Sequence, residues 1–199
     1  GVHFALTVSC YSADAQGRRK IHRIGVLGLS PTSAAMAGPH PKNPFVNAFV
    51  RGMRELGYTY GEHYVTETRG AEGKAERYAR LVAELIGLKV DVIVAVAASL
   101  RALRQATLTI PIVMTGSEDP VGSGYIVSLA RPGGNVTGVS LQSIELTPKR
   151  LELLKHLVPT NSPVAVIFDK TSRGYWEAGA AAARERGWTV MPFEISNAG

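Results

Sequence analysis

Apolar residues fall along this chain in blocks that switch repeatedly between short continuous runs and stripes at helical spacing. The stretch KIHRIGVLGL, residues 20–29, is a short run closing on small residues, which predicts a buried strand. A loop rich in Pro, Ser and Gly follows to Asn43. Phe45, Val46, Phe49, Val50, Met53 and Leu56 then recur at the spacing of one helix face, and Gly57 ends the pattern as a helix stop. Residues 63–70 alternate and predict a second strand. Over 74–88, Tyr78, Leu81, Val82, Leu85 and Ile86 form one helical stripe. Residues 90–97 are almost continuously apolar, the mark of a strand covered on both faces.

The alternation continues with a short helix over 99–107, a strand over 110–116, a helix-like piece over 120–130 and a strand over 135–141. Thr147 reads as the cap of a helix entered through Pro148 and carrying Leu151, Leu154 and Leu157. A sixth strand over 163–169, an Ala-rich helix over 175–187 and a seventh strand over 188–195 complete the pattern. Strand and helix in strict alternation predict an α/β protein with a doubly wound parallel sheet. Because the alternation restarts after Pro159, residues 16–140 are expected to form an N-terminal α/β ligand-binding lobe, and 141–199 a crossover with the start of a second α/β lobe. Two strands are too few for an independent doubly wound sheet, so this second lobe reads as truncated.

Composition narrows the class. Of the 199 residues, 45% are hydrophobic and 19% charged, which suits a soluble globular chain and excludes a disordered one. The formal charge is +6, but Lys and Arg are scattered over helix faces without an aromatic-interleaved stripe, so no nucleic-acid partner is expected. At the N-terminus an apolar run, Val2 to Val8, leads to Ala13-Asp14-Ala15, so residues 1–15 read as the remnant of a secretory signal cleaved before Gln16. The alternative is a terminal strand. A lipid-modified Cys10 would want Leu three positions earlier, where Thr7 stands. Removing residues 1–15 leaves no cysteine, hence no disulfide and no thiol nucleophile, which fits an exported protein of the periplasm or another extracytoplasmic space. Beyond that segment no apolar run approaches membrane-spanning length, so the remainder is expected to be soluble.

Candidate chemistry is sparse. Gly25 and Gly28 do not complete a dinucleotide fingerprint, and no Gly-Lys-Ser/Thr occurs. Ser123 between two glycines lacks the pattern of a nucleophile elbow. His22, His40, His63 and His156 lie in separate segments without ligand spacing, so neither a metal nor a cofactor is expected. What remains is the set of loops at the carboxyl ends of the strands, where open α/β sheets bind ligands: 30–40, 97–100, 116–119 and 169–172. Hydroxyls ahead of helices there would cap them, with free N–H groups attracting a carboxylate.

Three stretches resemble a known family. PFVNAFVRGMRELGYTYGEHYVTETRGAEGKAERYARLVAELIGLKVDVIVA, IPIVMTGSEDPVGSGYIVSLARPGGNVTGVS and KRLELLKHLVP are similar to the bacterial ABC-transporter substrate-binding family that includes tryptophan- and phenylalanine-binding receptors. The resemblance runs from about Lys20 to the C-terminus, and its most specific string is DPVGSG…LARPGGNVTGVS. It implies the type I periplasmic binding protein fold and a non-enzymatic receptor whose two lobes close on a small, amino-acid-like ligand for an ABC permease and ATPase. It places the ligand loops on Ser30, on Ala98 and Ser99, on Ser117, Glu118 and Asp119, and on Thr171 and Ser172 opposite. Ala98-Ser99 stands where the family commonly has Thr-Pro, and Glu118 where a small or hydroxyl residue is usual, a change that favours an amine over an anion. The competing reading is a flavodoxin-like or hydrolytic α/β enzyme using Glu118 or Asp119 as acid or base, although Asp119-Pro120 also makes a simple turn.

Overall fold

The computed structural model describes residues 20–141, 143–158, 162–168 and 173–195. The expected signal remnant, Cys10, and the candidate ligand residues Thr171 and Ser172 lie outside them. Five strands, β1 (His22–Gly28), β2 (Tyr64–Gly70), β3 (Val92–Ala95), β4 (Ile112–Ser117) and β5 (Val136–Ser140), form one sheet in the order β2-β1-β3-β4-β5. Every neighbouring pair is parallel, with Gly28 beside Gly70 and Leu27 beside Ala95. This is the doubly wound α/β arrangement expected from the alternating pattern.

The helices follow from the connections. α1 (Ser33–Met36) and α2 (Pro44–Glu55) join β1 to β2, α3 (Tyr78–Gly87) joins β2 to β3, and α4 (Leu100–Ala106) joins β3 to β4. Since β2 and β3 flank β1 on opposite sides, right-handed crossovers send α2 to one face of the sheet and α3 and α4 to the other. On the latter face Leu81, Val82, Leu85, Leu100 and Leu103 pack against Leu27, Ile93, Ala95, Ile112 and Met114. Each fully buried Leu or Ile in this layer contributes about 1.5–3 kcal/mol. On the α2 face the core is smaller: Ile24, Val26, Met36, Val46 and Tyr64, with Phe49 and Met53 half-buried. The Asn43 side chain caps α2 by accepting from the N–H groups of Phe45 and Val46, both at 3.1 Å, and Pro44 fills the first helical position.

Three local expectations are corrected. The segment 120–130 is a chain of turns and not helical: Asp119 Oδ1 accepts from the Gly122 N–H at 2.7 Å, and Val127 N–H reaches the Pro132 carbonyl at 2.9 Å. An Asx turn followed by two glycines outweighs the apparent helical spacing of Val121, Tyr125 and Leu129. The loop before Asn43 contains α1, capped by Thr32, whose Oγ1 accepts from Ala35 N–H at 3.2 Å. Finally, α5 (Ser143–Lys155) starts ahead of Thr147, so Pro148 lies inside the helix and deprives it of one backbone bond.

Beyond β5, α5 packs against α6 (Arg173–Glu185), which joins the parallel pair β6 (Val164–Phe168) and β7 (Val190–Glu194). Phe168 stacks on Trp176 with ring centroids 5.2 Å apart, giving this tryptophan a packing role. Ile167 and Phe193 remain 68% and 51% exposed, so much of the surface of this small sheet is bare among the described residues. No helix of the described residues is long and apolar enough to cross a membrane.

Candidate ligand-binding site

The chain leaves β1 toward β2 on one side, and β3 lies on the other, so the connections diverge at the carboxyl ends of β1 and β3. That divergence opens a crevice at which α/β sheets hold ligands. A cavity of about 390 Å³ occupies it. Its inner wall is Val26, Leu27 and Gly28 of β1 with Val94 of β3, and its outer wall is Met36 of α1 and the first turns of α2.

The loop after β1 is held in place from below. The Ser33 carbonyl accepts from the Thr68 hydroxyl at 2.8 Å, and the Ser33 hydroxyl accepts from the Gly70 N–H at 3.0 Å. One residue on, the Ala71 N–H donates to the Gly28 carbonyl at 3.0 Å, and Gly73 donates to Leu29 at 2.8 Å. The approach is so close that a Cβ on Gly70 would lie 1.9 Å from the Pro31 carbonyl oxygen. Only glycine fits there.

Chemically the cavity is apolar, with Ser30, Asn43 and Thr115 as its polar lining and no ionisable side chain. Two of the three are already engaged: Asn43 caps α2, and the Thr115 hydroxyl donates to the Ala95 carbonyl at 3.4 Å. Capping by Asn43 also occupies the N–H groups of the first turn of α2, so this helix end does not offer the open anion site that hydroxyls ahead of helices suggested. Phe45, in the first turn of α2, lines the cavity while 83% exposed. Its periodicity groups it with the core face of α2, whereas the structure turns it toward the mouth.

The residues expected to contact ligand are dispersed. Ser30 is exposed and lines the cavity. Ala98 is exposed in the tight turn Ala97–Ser99, and Ser99 is inaccessible, its hydroxyl donating to the Val96 carbonyl at 2.8 Å. Ser117 is buried at the end of β4 beside Ser140 of β5. Asp119 is committed to its Asx turn. Glu118 is exposed and lines a different cavity of about 460 Å³, among α5, α6, β6 and β7. Neither carboxylate faces the crevice of the first sheet. Phe45, Asn43 and Thr115 escaped the loop-based search. A Pro-preceded-by-Asn helix start was the one available signal for the first two, and Thr115 lies within a strand.

Sheet order, crevice and an apolar cavity at the switch point together define a lobe of the type I periplasmic-binding-protein class. A periplasmic binding protein type 1 from Bordetella pertussis has the same fold, with a TM-score of 0.63 at 15% identity over 90% of this chain and 50% of that chain. An ABC domain from Streptococcus pneumonia in complex with L-Trp superposes with a TM-score of 0.72 at 25% identity, covering 88% of this chain and 58% of that chain. Residues 40–198 match the family model of ABC transporter substrate binding proteins, and the chain belongs to that family. Within it, the tyrosine-binding protein of Clostridioides difficile is 34% identical over 123 residues, which is 61% of this chain and 35% of that protein. The chain thus spans little more than half of the solved chain from Streptococcus, and the match takes in about a third of the curated relative.

Proposed function

We propose that the cavity at the carboxyl ends of β1 and β3 receives the apolar side chain of a small solute, an amino acid with an aromatic or large aliphatic side chain. The observation that carries this reading is the cavity itself: about 390 Å³, within the range of ligand pockets, apolar, and placed at the switch point. Its lack of ionisable lining leaves the charged ends of such a ligand to loop backbone and to residues across the cleft. Ser30 is the lobe-one hydroxyl positioned to contact the ligand, with Ala98, Ser117, Glu118 and Asp119 on neighbouring loops and Thr171 and Ser172 assigned to the opposing wall. The relative named for tyrosine and the neighbour holding L-Trp support the chemical class.

On this reading the two α/β units, 16–140 and 141–199, belong to lobes that close on the ligand in an extracytoplasmic space. The closed form delivers it to an ABC permease and ATPase, without turnover. The engagement of Asp119 in a turn favours a receptor over an enzyme with a carboxylate base there. The test is isothermal titration and thermal unfolding against Tyr, Trp, Phe, Leu, simple amines and small carboxylates. Saturable binding is expected for at least one large-side-chain amino acid, which at 100 times Kd stabilises the folded protein by about 2.7 kcal/mol. Binding restricted to amines or anions, or chemical conversion of the ligand, overturns the proposal.

A further inference from the structure

We propose that a third cavity, on the opposite face of the first sheet, is an oxyanion site for a phosphate-type dianion. Arg101, Arg104 and Gln105 of α4 and Ser123 and Tyr125 of the turn segment after β4 line an open surface concavity of about 330 Å³. Leu100 and Leu103 anchor α4 in the core, so Arg101 and Arg104, three residues apart, share its outer side. All five lining side chains carry N–H or O–H donors, and no carboxylate is among them.

The charge here is uncompensated. On the neighbouring α3 and its approach, Arg69 and Arg80 pair with Glu84, and Arg77 pairs with Glu72. Neither Arg101 nor Arg104 makes an ion pair among the described residues. Arg104 instead donates to the Gly124 carbonyl, a neutral acceptor, which leaves its charge intact and fixes the loop carrying Ser123 and Tyr125. The Tyr125 ring packs against the core, so that wall is set as well. Two guanidinium groups and three neutral donors line one concavity. That arrangement matches the several oxygens and double charge of phosphate better than a single carboxylate. The phosphate can be free, as an inorganic or monoester group, or be the monoester headgroup of a lipid such as phosphatidic acid. The site lies on the α4 face and the solute cavity on the α2 face, so one stands independently of the other.

The test uses the protein in chloride buffer at constant ionic strength. Inorganic phosphate is titrated while the Gly124 amide and arginine side-chain resonances are followed, and sedimentation with phosphatidic acid or phosphatidylcholine vesicles is run in parallel. Saturable shifts are expected, weakened about tenfold in Arg101→Gln and unchanged in Arg51→Gln, a control on α2, with the melting temperature of both variants intact. Saturation by free phosphate assigns a soluble ligand. Binding to phosphatidic acid vesicles alone, lost in Arg101→Gln, assigns a lipid headgroup. Failure to bind either, or equal weakening by the two variants, overturns the proposal.

Discussion

Phe45→Ala separates binding from folding. The side chain is 83% exposed in the first turn of α2, so truncating it removes little buried area and should change stability by less than about 0.5 kcal/mol. An aromatic ligand lying along one side of the ring would cover roughly 60 Å², worth about 1.5 kcal/mol at ~25 cal/mol/Å². Ring-on-ring geometry adds about 0.5–1 kcal/mol. The expected loss is therefore about 2–2.5 kcal/mol, a roughly 30- to 70-fold rise in Kd. Isothermal titration with the aromatic amino acid that binds best measures it, and thermal unfolding of the ligand-free variant provides the control. Unchanged affinity would refute the placement of the ligand against α2. A fall of many degrees in melting temperature would refute the description of Phe45 as unengaged.

Other expectations concern the scaffold. Gly70→Ala must push the β1 loop off the end of β2, since its Cβ would sit 1.9 Å from the Pro31 carbonyl; we expect a loss of about 2–4 kcal/mol by urea unfolding, and a change below about 0.5 kcal/mol would contradict the packing described. Ser99→Ala should cost about 1 kcal/mol by removing a buried hydroxyl bond, whereas Ser30→Ala should leave stability alone and weaken ligand binding; equal melting temperatures for the two variants would count against this contrast. Hydrogen bonds from the Lys20 ammonium and the Arg23 N–H hold the Asp91 carboxyl below its ordinary value of 3.8. Its contribution is therefore complete above that value and fades as pH falls through the lower folded-state value. With Lys20 69% exposed it amounts to at most ~1 kcal/mol, so Asp91→Asn should flatten stability in the acid range by about that much while ligand affinity at neutral pH stays the same.

β1 and β3 were readable from nearly continuous apolar runs: 90–97 is interrupted only by Asp91, and β3 does sit between β1 and β4 with helices on either side of the sheet. The pattern misled where short-range chemistry competes with periodicity. Val121, Tyr125 and Leu129 mimic a helix, but the Asp119 carboxylate takes the Gly122 N–H and turns the chain first. α1 is four residues long, too short for a stripe to register. Pro148 suggested a helix start, yet residues ahead of it already form a turn of α5. The site was legible as a place and less so as a set of side chains. Strand-end loops led to Ser30, but not to Phe45, whose spacing matches a core position and whose exposure is set by where the helix begins over the sheet.

On the proposed function, the four hydrogen bonds that fasten the β1 loop to the end of β2 bear on how fast, as well as how tightly, a solute would be held. A loop already ordered by Ser33, Thr68 and Gly70 has no conformational search left at encounter, so this side of the cleft presents the same surface to every arriving molecule. Competing solutes should then arrive at similar rates and differ in how long they stay. Selectivity among them becomes a matter of residence time.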